Sequence, residues 1–344
     1  MNDREWNTIV SVVRGEKVSP LPVAFIIDSP WLPKWAGSTI LDYFTDERLF
    51  FQDNMKAIEC FPDAIFLPGF WSEYGMCTEP SAFGAVSVWE ENEFPFADKI
   101  LRSPQEVEFL KKPDTRKHGL LPFVIKRLKH LQPDIEKSGR KIRFAVARGP
   151  MNIASFLMGT TEYLTALKTD PELMHRLMEI ITDFLVDWIE YQRECFPSID
   201  GVFLLDDIAG FVSRRDFETF GLPYFQRAFD VDVTIKFFHN DAPCKMCAPL
   251  LSGIGINLLN FGVQHTLGEM KQWTHNKITL LGNLPPRDVL AAGTPGDVVR
   301  GTTEMLGALE DHSRLIASCG GGMPPGAPTE NINAFISTVR KLTS

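Results

Sequence analysis

Long apolar runs, basic residues and cysteines are all scarce in this sequence. No apolar run approaches the roughly 20 residues of a membrane-spanning helix, so we expect no membrane association. The formal net charge of −9 argues against nucleic-acid binding, which needs clustered Lys and Arg. Six scattered cysteines do not resemble a secreted disulfide framework. With an acidic start that lacks signal-peptide features, these absences predict a cytoplasmic protein with reduced thiols.

The sequence does contain eight short apolar runs, separated mostly by stretches of helical length and period. Each run is rich in Ile, Leu, Val and Phe and is closed by polar residues, Gly or Pro, as is typical of strands buried on both faces. The runs are Pro22–Asp28, Ala64–Phe70, Arg143–Pro150, Gly201–Ala209, Thr234–Asp241, Ile256–Val263, Ile278–Pro286 and Arg314–Gly322. This alternation predicts an α/β fold, a single-domain (β/α)8 TIM barrel over residues 1–344.

Two further segments are expected to decorate the barrel. Residues 2–15 have the apolar period of an amphipathic helix that plugs or flanks the barrel. A long insertion, Trp71–Lys99, follows the second strand and contains Tyr74 and Trp89. A long loop at the catalytic end of a barrel is usually a lid or a specificity element.

Polar residues stand at the ends of several runs, where a barrel enzyme gathers its catalytic groups. They are Asp28, Asp206, Asp207, His239, Asp241, Asn283 and Cys319. Among them, His239, Asp241 and Cys319 can supply three ligands to a zinc ion and leave a fourth position for substrate. The alternative is a hydrogen-bonded core histidine and a small buried cysteine. Cys244 and Cys247 form a CxxC that offers a competing metal or redox site.

Carboxylates supply the candidate catalytic residues. Because adjacent strand residues point to opposite faces, we expect one of Asp206 and Asp207 to face the pocket and the other to cap a helix or pair with Arg. The pocket carboxylate would orient substrate, accept a proton or tune the metal. Glu73, Glu79 and Asp28 are further candidates.

Stretches through nearly the whole chain resemble the uroporphyrinogen decarboxylase superfamily. They include TEPSAFG, RGPMNIASFLMG, GVFLLDDIA, FHND, LLGNLPPRDVLAAGTPGDV and ASCGGGMPPGAPTENINAF, in that order. The superfamily consists of barrel proteins, among them the decarboxylase of haem synthesis and zinc-dependent corrinoid methyltransferases. The decarboxylases carry an Arg-rich segment at the first strand that binds the substrate's carboxylates, whereas this chain has FIIDSPWLPKW there. The resemblance therefore favours the methyltransferase branch.

In the corrinoid methyltransferases, zinc is typically held by the His and Cys of an HxC motif and by a later Cys near a Gly-rich turn. His239 and Cys319 match two of these positions, and Asp241 stands in the third. Exchanging a thiolate for a carboxylate makes the ion harder and a better Lewis acid toward oxygen. Glu79 is an alternative third ligand.

The resemblance implies the substrate-demethylating half of such a system, in which an O-methyl or N-methyl compound gives its methyl group to Co(I). No DxHxxG corrinoid-binding motif occurs in this chain, so the cobalamin is expected on a partner corrinoid protein. Zinc would polarise the leaving heteroatom. The predicted catalytic residues are Asp206, Asp207 and Glu79, and the predicted substrate-binding residues are Asp28, Trp31, Trp71, Tyr74 and Asn283. The aromatic residues, with Trp89, would wall a methoxyaromatic pocket or simply pack the lid.

Three other functions stay open on the sequence. One is methyl transfer from a methylcorrinoid to a thiol or tetrahydrofolate, which the Asp241 position disfavours. Another is decarboxylation of a smaller acid without cobalamin. The third is a non-catalytic barrel that binds a small molecule.

Overall fold

Eight parallel strands build the centre of the molecule. The computed structural model describes residues 1–344. The chain has ten strands in all, which are β1 (Val23–Ile26), β2 (Ala64–Leu67), β3 (Ser87–Val88), β4 (Phe96–Ala97), β5 (Phe144–Arg148), β6 (Gly201–Leu205), β7 (Ile235–Asn240), β8 (Leu258–Phe261), β9 (Thr279–Leu284) and β10 (Leu315–Cys319). The main sheet has the order β2-β1-β10-β9-β8-β7-β6-β5, and β3 and β4 form a small antiparallel pair. Each predicted run contains one strand of the main sheet, so the prediction of eight parallel strands is confirmed.

The main sheet curls like a barrel, but backbone hydrogen bonds do not close it. Its edges are β2 and β5, and no ladder joins them. The Gln192 side chain donates to the Val146 carbonyl and accepts from the Val146 amide, both at 3.0 Å. Glu79 accepts from the Arg148 amide on the same edge at 3.3 Å. The closed ring of strands expected from the sequence is therefore not formed here, because side chains take the β5 groups that a neighbouring strand would use.

Fourteen α-helices accompany the strands. They are α1 (Asp3–Val13), α2 (Leu32–Ala36), α3 (Ile40–Thr45), α4 (Glu47–Cys60), α5 (Thr78–Ala82), α6 (Leu121–Lys137), α7 (Pro150–Met158), α8 (Thr160–Thr169), α9 (Pro171–Cys195), α10 (Arg214–Asp216), α11 (Leu222–Ala228), α12 (Leu267–Trp273), α13 (Pro295–Gly307) and α14 (Thr329–Thr343). Short 3-10 helices lie at Gly75–Cys77, Pro104–Phe109, Ile208–Gly210 and Ala248–Ile254, and π-helical turns at Phe217–Gly221 and Pro286–Ala291. None of the helices combines the length and apolarity needed to cross a membrane.

Two apolar layers follow from the alternation of side chains along the strands. Inward-facing residues such as Phe203, Phe237 and Ile316 belong to a cluster of 19 buried residues inside the curled sheet. Outward-facing residues such as Phe238 and Ala317 join a cluster of 83 between the strands and the helices. The interior is filled by apolar side chains, so polar groups that serve a ligand are restricted to the ends of the strands.

Helix α1 covers the amino-terminal end of the sheet. Asn2 and Glu5 form a capping box that starts the helix. Its Trp6 ring packs edge-on against Phe144, the first residue of β5, with ring centroids 5.5 Å apart. Because this end is covered, the curled sheet is open at the carboxyl ends of its strands. We call this open end the mouth.

The insertion after β2 folds against the outer helices. It contains α5 and the β3–β4 pair. The rings of Tyr74 and Trp89 meet at 6.1 Å, and both pack on Phe44 of α3 at 5.8 Å. Much of its aromatic content is therefore used in packing the insertion onto the fold.

Candidate functional site

An inward-facing polar layer lies near the carboxyl ends of the strands. His239 follows the inward-facing Phe237 by two residues and therefore shares its face. Asn260 stands opposite His239 in the β7–β8 register. Arg148 ends β5, with its guanidinium 5.7 Å from the ring centroid of Trp71. These side chains line the mouth that α1 leaves open.

One ring nitrogen of His239 has a hydrogen-bond partner and the other has none. Its Nδ1 lies 2.7 Å from Oδ1 of Asn260. Its Nε2 has no hydrogen-bond partner and lies 3.7 Å from Oδ2 of Asp241. Since His239 is 7% exposed, this nitrogen is directed into a sheltered mouth. Sequence reasoning missed Asn260, and the available signal was an Asn within the apolar run Ile256–Val263.

Cys319 does not join His239 and Asp241 in the arrangement predicted for zinc. No set of three or more His, Cys, Asp or Glu side chains is arranged to hold a metal ion. The Cys319 thiol is fully buried, 3.7 Å from the carbonyl oxygens of Gly321 and Gly322. Burial, and then the Asp241 carboxylate, raise its pKa to about 12. The physical reason is strand alternation: Cys319 shares the outward face of Ala317 and belongs to the outer apolar cluster.

The CxxC cysteines are packed thiols. Cys244 and Cys247 are buried, and the Cys244 thiol lies 3.6 Å from the sulfur of Met270. Burial raises the pKa of both thiols, that of Cys244 to about 12. Thiols held in the protonated form are poor nucleophiles and poor ligands, so nothing supports the competing metal or redox site.

Arg148 is surrounded by carboxyl groups. Its Nη2 donates to both oxygens of Glu73, at 2.9 and 2.7 Å. Burial raises the pKa of Glu73, Glu79 and Asp28, that of Asp28 to about 6, while the Arg148 guanidinium acts in the opposite direction. One guanidinium cannot balance three ionised carboxylates, so the cluster holds a proton or attracts a cation. One oxygen of Glu79 accepts from the β5 edge and its Oε2 is buried without a hydrogen-bond partner, so its role as an alternative third ligand stays a prediction.

Asp206 and Asp207 differ in their surroundings: Asp206 meets the start of a helix, and Asp207 lies nearer the mouth. Asp206 is fully buried, and its Oδ2 accepts from two backbone amides in the first turn of α7, at 2.8 and 3.0 Å. Its Oδ1 accepts from the Ala209 amide at 3.3 Å. Burial raises the pKa of Asp206 to about 7, and the bonds from these amides oppose that rise. Asp207 accepts from the Asp241 amide at 2.6 Å, so Asp207 is the carboxylate at the mouth.

Asn283 is committed to contacts within the protein. Its side-chain amide donates to the carbonyls of His265 at 2.7 Å and Gly262 at 3.4 Å. These bonds tie the end of β9 to the loop that follows β8. Its side-chain oxygen makes no hydrogen bond within the protein, so the predicted contact with substrate stays a prediction for that oxygen.

The predicted aromatic wall is dispersed over the fold. Trp31 is buried and stacks on Trp35, with ring centroids 4.9 Å apart. Tyr74 packs with the insertion on α3. Trp71 alone of the three lies beside the polar layer, between Phe203 and the Arg148 guanidinium. Large apolar cores absorb aromatic side chains, so Trp31 and Tyr74 act in packing here.

Replacement of Asp28 is expected to stabilise the protein in a pH-dependent way. Its pKa in the folded state is raised to about 6, so ionisation costs stability as the pH rises through this value. We expect Asp28→Asn to raise the free energy of unfolding by about 1–2 kcal/mol at pH 8, after allowance for partial exposure, and to change it little at pH 4. Urea denaturation at both pH values measures the difference.

Asp42→Asn on the exposed face of α3 is the matched control for that measurement. An equal effect of Asp28→Asn at pH 4 and pH 8 would contradict the assigned cause, because the neutral forms of Asp and Asn differ little in desolvation cost.

Comparison with known proteins places this geometry in a family. Residues 5–342 match the model of the family described as uroporphyrinogen decarboxylase (URO-D). The uroporphyrinogen decarboxylase of Thermosynechococcus vestitus is 25% identical over 264 residues, covering 73% of this chain and 74% of the relative. That of Prochlorococcus marinus (strain MIT 9313) is 23% identical, covering 96% of this chain and 95% of the relative.

Solved structures share the fold at lower identity. A methyltransferase from Methanosarcina mazei superposes with a TM-score of 0.81 at 18% identity, covering 98% of both chains. A B12-independent methionine synthase from Shewanella sp. W3-18-1 gives a TM-score of 0.60 at 12% identity, covering 94% of this chain and 98% of the other. Because the family model spans almost the entire sequence, this chain belongs to the uroporphyrinogen decarboxylase family.

Proposed function

We propose that this protein is a methyltransferase that moves a methyl group from an O-methyl or N-methyl small molecule to the Co(I) of a separate corrinoid protein. The observation that carries the proposal is the free Nε2 of His239, sheltered in the mouth beside the Asp241 carboxylate. A nitrogen lone pair next to a carboxylate suits a Lewis-acidic ion or a polarised leaving group. The Methanosarcina mazei neighbour is described as a methyltransferase, which supports this branch.

The charge of the mouth argues against a substrate with many carboxylates. Asp28, Asp207 and Asp241 surround it, the Arg148 guanidinium is already paired with Glu73, and the Arg287 guanidinium acts on the Asp241 carboxyl. The many carboxylates of a porphyrinogen would meet more like charges than guanidinium partners here. A neutral or cationic methylated compound fits this environment better.

The residues fit zinc in part. Nitrogen from His239 and oxygen from Asp241 are donor types that zinc accepts, and they already adjoin. Cys319 would have to turn its thiol away from the carbonyls of Gly321 and Gly322 to become a third ligand. When bound, zinc supplies a positive charge that polarises the leaving oxygen or nitrogen. Asp207 holds the backbone of Asp241 in place, and Asp28 can hold a proton near neutral pH.

The rim of the mouth suits a protein partner that carries cobalamin. Phe211, Met246 and Val263 are 60%, 50% and 45% exposed, on the loops that follow β6, β7 and β8. The first two loops touch, since Gly210 packs against Ala242. Exposed apolar groups around a polar mouth are typical of a surface that a partner covers.

The test begins with metal content and continues to turnover. Elemental analysis of the purified protein is expected to give about one zinc per chain, lost in His239→Ala and retained in the exposed control His130→Ala. Loss of zinc in Cys319→Ala would make that thiol the third ligand, and retention would exclude it. The zinc-containing protein should then transfer methyl groups from methoxyaromatic compounds to Co(I) cobalamin. A protein that neither contains zinc nor takes it up on reconstitution contradicts the zinc methyltransferase proposal.

Decarboxylation is the second candidate. The curated relatives named above are decarboxylases, at 25% identity or less, and the mouth holds a carboxyl, Asp28, whose pKa lies near 6. A group that titrates there can donate or accept a proton at neutral pH. Release of carbon dioxide from a small organic acid without cobalamin would favour this candidate, provided that Asp28→Asn abolishes it.

A further inference from the structure

We propose that Asn260 is a positioning residue that fixes the tautomer of His239, with hydrogen on Nδ1 and a lone pair on Nε2. The tautomer rests on geometry alone, and its consequence for catalysis rests on the function proposed above.

The orientation of the Asn260 amide follows from its two contacts. Its Nδ2 donates to the Leu281 carbonyl at 2.9 Å, and a carbonyl can only accept. The amide oxygen must therefore face His239, at 2.7 Å from Nδ1. That oxygen can also only accept, so the hydrogen of this bond belongs to Nδ1. In a neutral imidazole, Nε2 then carries the lone pair.

The sheet register makes this chain of bonds rigid. His239 of β7 pairs with Asn260 of β8, and Asn260 in turn pairs with Leu281 of β9. Asn260 is fully buried, so water does not compete for its amide. The contact thus runs across three neighbouring strands, and the imidazole plane is set by the sheet and not by a mobile loop.

The orientation has a consequence for the ligand. In the neutral tautomer inferred above, the lone pair of Nε2 faces the half-exposed Asp241 carboxylate, whose Oδ2 lies 3.7 Å away. Two acceptors at this distance repel unless a cation or a hydrogen-bond donor lies between or beside them. The ligand that this pair takes is therefore a metal cation or a group that carries a donor hydrogen, and an anionic group is disfavoured.

Nitrogen-15 NMR of histidine-labelled protein tests the tautomer directly. At pH 8, where an imidazole is ordinarily neutral, the shifts of the two ring nitrogens tell which one carries hydrogen. His239→Gln identifies the His239 signals among the seven histidines. We expect hydrogen on Nδ1 in the wild type. Hydrogen on Nε2 would overturn the proposal.

Three variants separate positioning from general structure. Asn260→Leu removes the acceptor and should give mixed tautomers, whereas Asn260→Asp keeps an acceptor and should keep hydrogen on Nδ1. Asn257→Leu is the matched control, because Asn257 makes similar bonds with Thr234 and Lys236 near the other end of the sheet. It should leave the tautomer unchanged. An unchanged His239 spectrum in folded Asn260→Leu overturns the proposal, and if that variant fails to fold, the wild type and Asn260→Asp decide.

Zinc affinity provides a second readout. By competition with a chelator, Asn260→Leu should bind zinc about 10–100-fold more weakly than Asn257→Leu does, as is usual when the partner of a metal-bound histidine is lost. Equal affinities in the two variants would contradict the positioning role. If the wild-type protein binds no zinc while the NMR result holds, the zinc function fails and the tautomer assignment stands.

Discussion

Arg148→Met is expected to lower the free energy of unfolding by about 3–5 kcal/mol. The substitution leaves the buried Glu73 and Glu79 and the half-buried Asp28 without the cation that they surround. An uncompensated buried charge costs about this much when its partner is removed. Proton uptake by these carboxyls will offset part of the lost stability, because burial already raises the pKa of Glu73 and Glu79. Urea denaturation at pH 8, where proton uptake is hardest, gives the full effect.

A double variant and an exposed ion pair serve as controls for this result. Arg148→Met combined with Glu73→Leu should recover part of the lost stability, because it removes both members of the ion pair and leaves only Glu79 and Asp28 without the cation. Arg116→Met breaks the exposed pair with Glu194 and should have a far smaller effect. A small effect of Arg148→Met at pH 8, equal to that of Arg116→Met, would show that the cluster is hydrated and not buried.

Asp206→Ala and Asp207→Ala are expected to separate stability from activity. Asp206→Ala leaves three buried backbone amides without an acceptor, and we expect a loss of about 3 kcal/mol in the free energy of unfolding. Asp207→Ala loses one bond to the Asp241 amide near the surface, and we expect a loss of about 1 kcal/mol. Thermal and urea denaturation of both variants measure the contrast.

Activity should follow the opposite order among folded molecules. Asp207→Ala frees the backbone at Asp241 and should reduce turnover per folded molecule, whereas Asp206→Ala should reduce the amount of folded protein. The conservative Asp206→Asn keeps one acceptor oxygen and should lie between the wild type and Asp206→Ala in stability. Equal stability of the two alanine variants would contradict the capping role of Asp206.

The strands were predictable because their signal is local. Each apolar run is long enough to form one strand, and residues buried on both faces need no partner to be recognised. No local pattern in the sequence indicates which strands lie at the edges of the sheet. Gln192 lies within α9, and its pairing with Val146 depends on how that helix packs on β5. Nothing in the sequence around either residue indicates the contact.

Alternation along a strand explains what could be foreseen at the mouth. The sequence predicted different tasks for Asp206 and Asp207 on the basis of strand alternation, and the structure places both just beyond β6 with Asp206 at the start of α7. The sequence could not tell which one would meet the first turn of α7, because that helix start is brought in by tertiary packing. Cys319 illustrates the same limit, since its place at the end of β10 was evident but its outward direction was not.

The sequence by itself determined the eight strands and the end of the sheet where polar groups gather, because each depends on residues close together in the chain, and it indicated the family through the order of short motifs along the whole chain. Tertiary structure alone decided that β2 and β5 stay unpaired, that Glu79 serves an edge strand, and that Asn260 holds His239. These outcomes depend on distances between side chains far apart in sequence, such as the 2.7 Å from His239 to Asn260. Such distances are set by the register of neighbouring strands and the packing of helices upon them, which no local pattern specifies.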